Sequence, residues 1–445
     1  MNIESYWVQS DARLVEAIAV LERTTHGMLL VVDADRRLLG ALTRTDIRRA
    51  LLEGALVDQP VTSVMRSPVP VLRLRGSEPA EVRHAAVAGG LPFIPVVDDA
   101  GCPIDLLPAS GDTVATDEHI LVSGGAGYVG SVLVRRLLAA GHRVTLFDRF
   151  LYGEASIGDL LDHPRLRIVR GDTRHVEDLT PLVAEATAVV QLAELVGDPL
   201  CAQDPLKTLE INLLGSTNVA AIAARFQVTR FVYISSCSVY GSSSNPDAIL
   251  DEGSALAPLS IYAKMKIAAE QSIRRLEYGA FSPVIFRLGT VFGMSPRPRF
   301  DLVVNTLTAQ AVQDGAISVF GGDQWRPHVH VDDVARGIQM ALAAPRERVA
   351  GTVMNLVGEN LKIAELGDLI AEEVPGARVT VQPMDGDKRN YRVSADRAAH
   401  LLDFEPRWTV RRGVQQIKAA LESGTLTHHT YPVYSNIRAL SGVQL

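Results

Sequence analysis

Cysteine is scarce in this chain and poorly placed for pairing. Its 445 residues include three, Cys102, Cys201 and Cys237. They are widely separated, lack C-x-x-C spacing and cannot all pair with one another. A disulfide framework is excluded, and no metal site is expected. The pattern suits a reducing compartment. Blocks of basic residues are also missing and the net charge is −7, so nucleic acid is not an expected partner. No apolar run approaches the ~20 residues that span a bilayer. Met1–Trp7 lacks the basic region and apolar core of a signal peptide. These absences lead to the expectation of a soluble, cytoplasmic protein that engages no membrane. What is present is a globular composition, 47% hydrophobic, at a length that calls for two or three units.

Residues 1–115 read as one such unit. Ala12–Arg23 carries Leu14, Ala17, Ile18 and Leu21 on one helical face. Met28–Asp33 reads as a buried strand, Ala34–Arg37 as a polar turn, Leu38–Thr43 as a second strand and Arg44–Leu52 as a helix. This order resembles a cystathionine-β-synthase-type (CBS) domain, in detail at G-A-L-T-R-T-D-I, Gly40–Ile47. The resemblance implies that Thr43 and Asp46 hold the ribose and phosphate of an adenine nucleotide. From the residues alone, the same pair is a helix N-cap and a first-turn acid. Pro60–Met65 reads as a hinge into a degenerate second repeat, roughly Ser63–Leu107. That repeat keeps a strand at Ile94–Asp98 but lacks the Gly-x-x-Thr-x-x-Asp element. The pair either senses a nucleotide or holds subunits together. Pro108–Glu118 reads as a polar linker.

The stretch Ile120–Gly130, I-L-V-S-G-G-A-G-Y-V-G, organises the rest. An apolar run leads into Gly124, Gly127 and Gly130, and a helix pattern follows at Val132–Ala140. Strand, glycine turn and helix together suit a pyrophosphate: the backbone is bare and the helix start offers free N–H groups. Strands alternate with helices from here on, the pattern of a doubly wound parallel sheet. His142–Asp148 is the second strand, with Asp148 near the distance at which an acid meets the adenosine ribose. That acid favours NAD over NADP; the adjoining Arg149 reads as a solvated loop cation. Leu166–Asp172 and Ala188–Ala193 are the third and fourth strands. Arg230–Gly241 is a strand ending in hydroxyls, and Pro258–Lys266 is a helix that puts Tyr262 and Lys266 on one side at i and i+4.

The glycine turn, the strand-end Ser-Ser before Val-Tyr-Gly, and Tyr-x-x-x-Lys occur in this order over roughly Ile120–Ile417. They resemble the extended short-chain dehydrogenase/reductase family, mostly nucleotide-sugar epimerases and dehydratases. The resemblance implies an α/β Rossmann-type domain over residues 116–430, with a small C-terminal α/β substrate lobe and a tail at 431–445. It implies Ser236, Tyr262 and Lys266 as the catalytic set. Lys266 is then expected to favour the Tyr262 phenolate and to hold the nicotinamide ribose. It places NAD on Gly124, Gly127, Tyr128, Val129 and Gly130, with Asp148 on the ribose, Asp172 on the adenine edge and Ala193 beside the nicotinamide.

The usual H-L-A-A is here Q-L-A-E, so Gln191 and Glu194 depart from the pattern. Glu194 reads as a substrate contact or as a loop acid. Ser238 also joins the substrate side. Family dehydratases carry an Asp-Glu pair where this chain has Cys237 and Ser238, so dehydration is disfavoured. Gly321–Ala335 resembles the family's R-x-x-x-H-V-x-D element, with Arg326 expected on a diphosphate. Arg299, near Arg297, and Arg389, near Tyr391, are further phosphate candidates or else surface ion pairs. His328 and His330 do not read as a metal pair, and His330 is expected to be buried in the substrate lobe. The expected activity is NAD-dependent epimerisation of a nucleotide-diphosphate sugar at C4 through a transient 4-keto sugar. The rivals are a 4-keto-sugar reductase and a nucleotide-sensing protein on the same scaffold. By resemblance, a homodimer or larger homo-oligomer is expected.

Overall fold

A computed structural model describes residues 3–24, 27–73, 82, 86, 91, 93–108, 118–242, 245, 247–383 and 389–441. Most of the expected linker, Pro108–Glu118, lies outside the described residues. The chain divides into two compact units, Met1–Glu118 and His119–Leu445.

The first unit contains two three-stranded sheets of the same design. β1 (Trp7–Gln9) runs parallel to β2 (Met28–Val32), which is antiparallel to β3 (Leu38–Thr43). β4 (Leu72–Arg73) likewise runs parallel to β5 (Phe93–Val97), antiparallel to β6 (Pro103–Pro108). Every residue of β2 is buried. One of its faces is covered by Leu14, Ala17 and Leu21 of α1 (Leu14–Arg23), the apolar stripe expected from helical spacing. On the other face, Met28 and Leu30 meet Leu72, Phe93, Ile94 and Leu106 of the second repeat. The second repeat therefore keeps the strands and the shared core although it lacks the Gly-x-x-Thr-x-x-Asp element. α2 (Arg44–Leu52) starts directly at the end of β3.

The second unit is built on a seven-stranded sheet. Its parallel strands are β7 (His119–Ser123), β8 (Arg143–Asp148), β9 (Leu166–Arg170), β10 (Ala188–Gln191), β11 (Arg230–Ser236), β12 (Pro283–Leu288) and β13 (Val353–Leu356). The order is β13-β12-β11-β10-β7-β8-β9. The central strands are almost continuously apolar because both faces are covered. α3 (Tyr128–Ala139) and α7 (Val331–Ala343) contribute Leu133, Leu137, Val334 and Ile338 to one core. α4 (Ser216–Arg225) and α5 (Ile261–Arg275) contribute Val219, Ala223, Ala269 and Ile273 to the core on the opposite face. This is the Rossmann-type doubly wound α/β sheet expected from the motifs. The strand order reverses between β7 and β10, which opens a crevice at their carboxyl ends. A third core, with Phe300, Val304 and Leu307 around α6 (Val303–Ala309) and Val414 and Ile417 of α8 (Val410–Glu422), forms the lobe facing that crevice.

Candidate active site

The turn after β7 is shaped by contacts that leave no room for side chains. Gly124 has φ +82°, and a Cβ on it would lie 2.6 Å from the Ala193 nitrogen. A Cβ on Gly130 would lie 2.2 Å from the Gly124 oxygen. Gly127 caps α3 with no side chain bonded to the helix start, so the first N–H groups face the crevice. β11 ends in Ser236, whose Oγ accepts the Ser238 N–H at 3.2 Å and its hydroxyl at 2.9 Å. α5 starts at Ser260, whose side chain accepts the Ala263 N–H. Tyr262, Lys266 and Glu270 then follow on one face. Glu270 anchors that face in the sheet through a buried ion pair with Arg287 at 2.7 Å. Tyr262 lines the crevice together with Ser236. Lys266 is 3% exposed, and its Nζ donates to the Ile234 oxygen at 2.5 Å.

The glycine turn, Ser236, Tyr262 and Lys266 line one cavity of about 680 Å³, together with Asp148, Asp172, Ala193, Glu194, Ser238, Arg299, Arg326 and Arg389. Residues 120–357 match the model of the NAD dependent epimerase/dehydratase family. The chain belongs to this family. Residues 1–53 match the CBS domain. UDP-glucuronic acid decarboxylase 4 of Arabidopsis thaliana is 27% identical over 65% of this chain and 65% of its own length. The chain therefore spans slightly under two thirds of that relative. Among solved structures, MoeE5 in complex with UDP-glucose and NAD is 28% identical, with a TM-score of 0.59 over 69% of this chain and 100% of its own. Epimerase Mth375 from Methanothermobacter thermautotrophicus is 28% identical, with a TM-score of 0.60 over 69% of this chain and 93% of its own. NAD is the family's cofactor, and the bare turn and uncapped helix start fit a dinucleotide here.

Within this epimerase/dehydratase scaffold, several expected residues are bonded to partners within the protein. Glu194 is engaged by other side chains of the protein. Its side chain is 1% exposed, and its Oε2 lies 2.5 Å from Lys266 Nζ. Oε1 accepts the hydroxyls of Ser216 and Tyr233, each at 2.8 Å. Asn212, on the π-helical turn Leu209–Gly215, clamps the next residue by bonding both the N–H and the oxygen of Leu195. The expected help from Lys266 to a Tyr262 phenolate is thereby offset. Burial, followed by the Glu194 charge, holds the Tyr262 phenol well above its usual range, and the Ser236 hydroxyl acts in the opposite direction.

The acids at the cofactor end are also engaged. Asp148 accepts the N–H groups of Ala126 at 3.0 Å and Phe150 at 2.7 Å, so it braces the glycine turn. Asp172 pairs with Arg174 at 2.8 Å. Arg149 is not a solvated cation: it lies 3.3 Å from Asp172. Arg299 is neutralised by Asp301 at 2.9 Å, and Arg389 by Asp198 at 2.6 Å. Arg326 is buried and bonds the Trp325 and Arg389 oxygens and Gln324 Oε1.

Arg297, on the same loop as Arg299, also lines the cavity. It stacks on Tyr152 at 3.7 Å, and its Nε and Nη2 are buried with no hydrogen-bond partner among the described residues. Burial lowers its guanidinium to about 10, still charged at neutral pH. Its loop is held against the start of α3 by Ser295, which donates to the Tyr128 oxygen at 2.7 Å. His330 is buried as expected, stacked on Trp408 at 4.0 Å, and buried His328 is held neutral, lowered by burial to about 3.

The tail carries no motif, but it folds onto this site. Tyr434 receives the Phe300 N–H at 2.8 Å. Asn436 donates to Asp301 and to the Val196 oxygen, each at 2.9 Å, and lines the cavity with Ile437. In the first unit, Thr43 and Asp46 form a capping box on α2, and Asp46 is paired with Arg66 at 2.7 Å. Both side chains expected on a nucleotide are thus committed to local structure. Among the described residues, no helix is long and apolar enough to cross a membrane.

Proposed function

We propose that the protein is an NAD-dependent epimerase of a nucleotide-diphosphate sugar, acting at C4 through a transient 4-keto sugar. The observation that carries this reading is the meeting of Ser236, Tyr262 and Lys266 with the glycine turn in one cavity. UDP is the favoured nucleotide, because MoeE5 was solved with UDP-glucose and the Arabidopsis relative is named for UDP-glucuronic acid. Cys237 and Ser238 leave no acid at the place where elimination needs one, and the Cys237 thiol is itself buried.

In this reading, Ser236 holds the reacting sugar oxygen while Tyr262 takes the hydroxyl proton and later returns it. Bound NAD supplies the hydride acceptor and then the donor. Lys266 orients the cofactor ribose and Tyr262, and Glu194 balances the Lys266 charge. Arg297 meets the dinucleotide diphosphate beside α3, and Arg326 the substrate diphosphate in the lobe. The reading also includes the CBS unit as a regulatory or oligomerising module and the whole as a homodimer or larger. Freshly purified protein is expected to retain NAD through desalting, because an epimerase restores its cofactor in each cycle. Protein that arrives empty and binds reduced nicotinamide reversibly would contradict it.

One observation favours a second reading. A Tyr262 held protonated is a ready proton donor, as a 4-keto-sugar reductase requires. Net consumption of reduced nicotinamide with a 4-keto substrate would select that alternative.

A further inference from the structure

Away from the cavity, the chain brings together Asp314, His428 and His429, with one ligand atom from each lying within 4.8 Å of the others. His428 Nε2 lies 3.1 Å from Asp314 Oδ1, and His429 Nε2 lies 3.6 Å from Asp314 Oδ2. Two ligands on a tetrahedral zinc at about 2.0–2.1 Å stand about 3.3 Å apart, so these spacings suit a shared ion.

The hydrogen bonds around the two rings point the same way. Gln313 Oε1 accepts the His429 main-chain N–H at 2.8 Å, which identifies that atom as the oxygen. The same oxygen faces His429 Nδ1 at 3.0 Å, so Nδ1 carries the proton. Nε2 is left with a lone pair directed at a carboxylate, in a side chain only 6% exposed. That contact is repulsive unless the ring is protonated or a cation sits between them. His428 Nδ1 accepts the Thr430 N–H at 3.4 Å and lies 3.0 Å from the Thr430 hydroxyl. The His429 ring is thus held by an oxygen on its far nitrogen, the usual support of a metal-bound imidazole. Gln313 and Asp314 sit on the π-helical turn Gln310–Asp314, a wide turn that ends α6. Such turns are common at functional sites.

We propose that Asp314, His428 and His429 bind a divalent transition metal of the zinc class, with solvent completing the coordination. Two imidazoles and a carboxylate suit that class. The metal pins the start of the C-terminal segment to the substrate lobe, upstream of the Asn436 and Ile437 that line the cavity. The sequence could not point to this site, because its acid and its histidines lie 114 residues apart.

The test uses full-length protein stripped with a chelator, dialysed, and titrated with Co(II) and then Zn(II). Wild type should take up one equivalent of Co(II), show the visible bands of a four-coordinate ion, and lose them to Zn(II). His428→Ala and His429→Ala should each lose stoichiometric uptake, and Gln313→Leu should weaken it about 10–100-fold. Zn(II) should raise the melting temperature of wild type and not of His428→Ala. His428 is about half exposed, so that variant keeps the fold and the comparison remains decisive. Less than one equivalent bound by wild type, or wild-type uptake by both histidine variants, would overturn the proposal.

Discussion

Lys266 and Glu194 stand 2.5 Å apart, and the Glu194 charge adds to burial in raising the Tyr262 phenol. A phenol that must act as a base works against burial first and the Glu194 charge second. Glu194→Gln keeps the acceptor for Tyr233 and Ser216 but removes the charge. The Tyr262 pKa then falls, so the rising limb of the pH–rate profile should move to lower pH; an unmoved limb would show that Glu194 does not tune the phenol. Tyr262→Phe should cut turnover about 10²–10⁴-fold and leave NAD bound. Arg297→Leu removes an unpaired buried cation beside the α3 start. A hydrogen bond to a charged group contributes about 1.5–3 kcal/mol, so NAD affinity should drop roughly 10–100-fold, as read by equilibrium dialysis.

Among the elements, the turn between β7 and α3 gives the sharpest contrast. Gly130→Ala drives a Cβ to 2.2 Å from a main-chain oxygen, whereas at Gly127 the nearest atom is 3.2 Å away. Gly130→Ala should abolish NAD retention, and Gly127→Ala should weaken it less. These glycines were legible in the sequence because their spacing is local. Tyr262 and Lys266 were legible for the same reason, one helical turn apart. Glu194 was visible as a departure, but its partner was not: the pair joins the loop after β10 to the middle of α5, and only the assembled sheet brings them together. That Arg299 is paired while Arg297, among the described residues, is not could not be read locally, because it depends on Asp301 turning back onto Arg299. In the first unit, Thr43→Ala removes the cap of α2 and should cost about 1 kcal/mol in thermal unfolding.

Across the whole molecule, composition and strand–helix alternation were enough to read the doubly wound sheet, because two-sided burial writes itself into continuous apolar strands. The tail was not legible, since its role depends on two contacts with Asp301 and Val196 that no local pattern announces. The proposed reaction is a closed cycle at C4. It is tested most directly by incubating the purified protein with UDP-glucose or UDP-glucuronic acid, without added nicotinamide, and following the sugar by NMR. A C4-inverted sugar is expected, with no net change in reduced nicotinamide absorbance. No inverted sugar from either substrate, or a keto sugar accumulating with reduced nicotinamide, would contradict it.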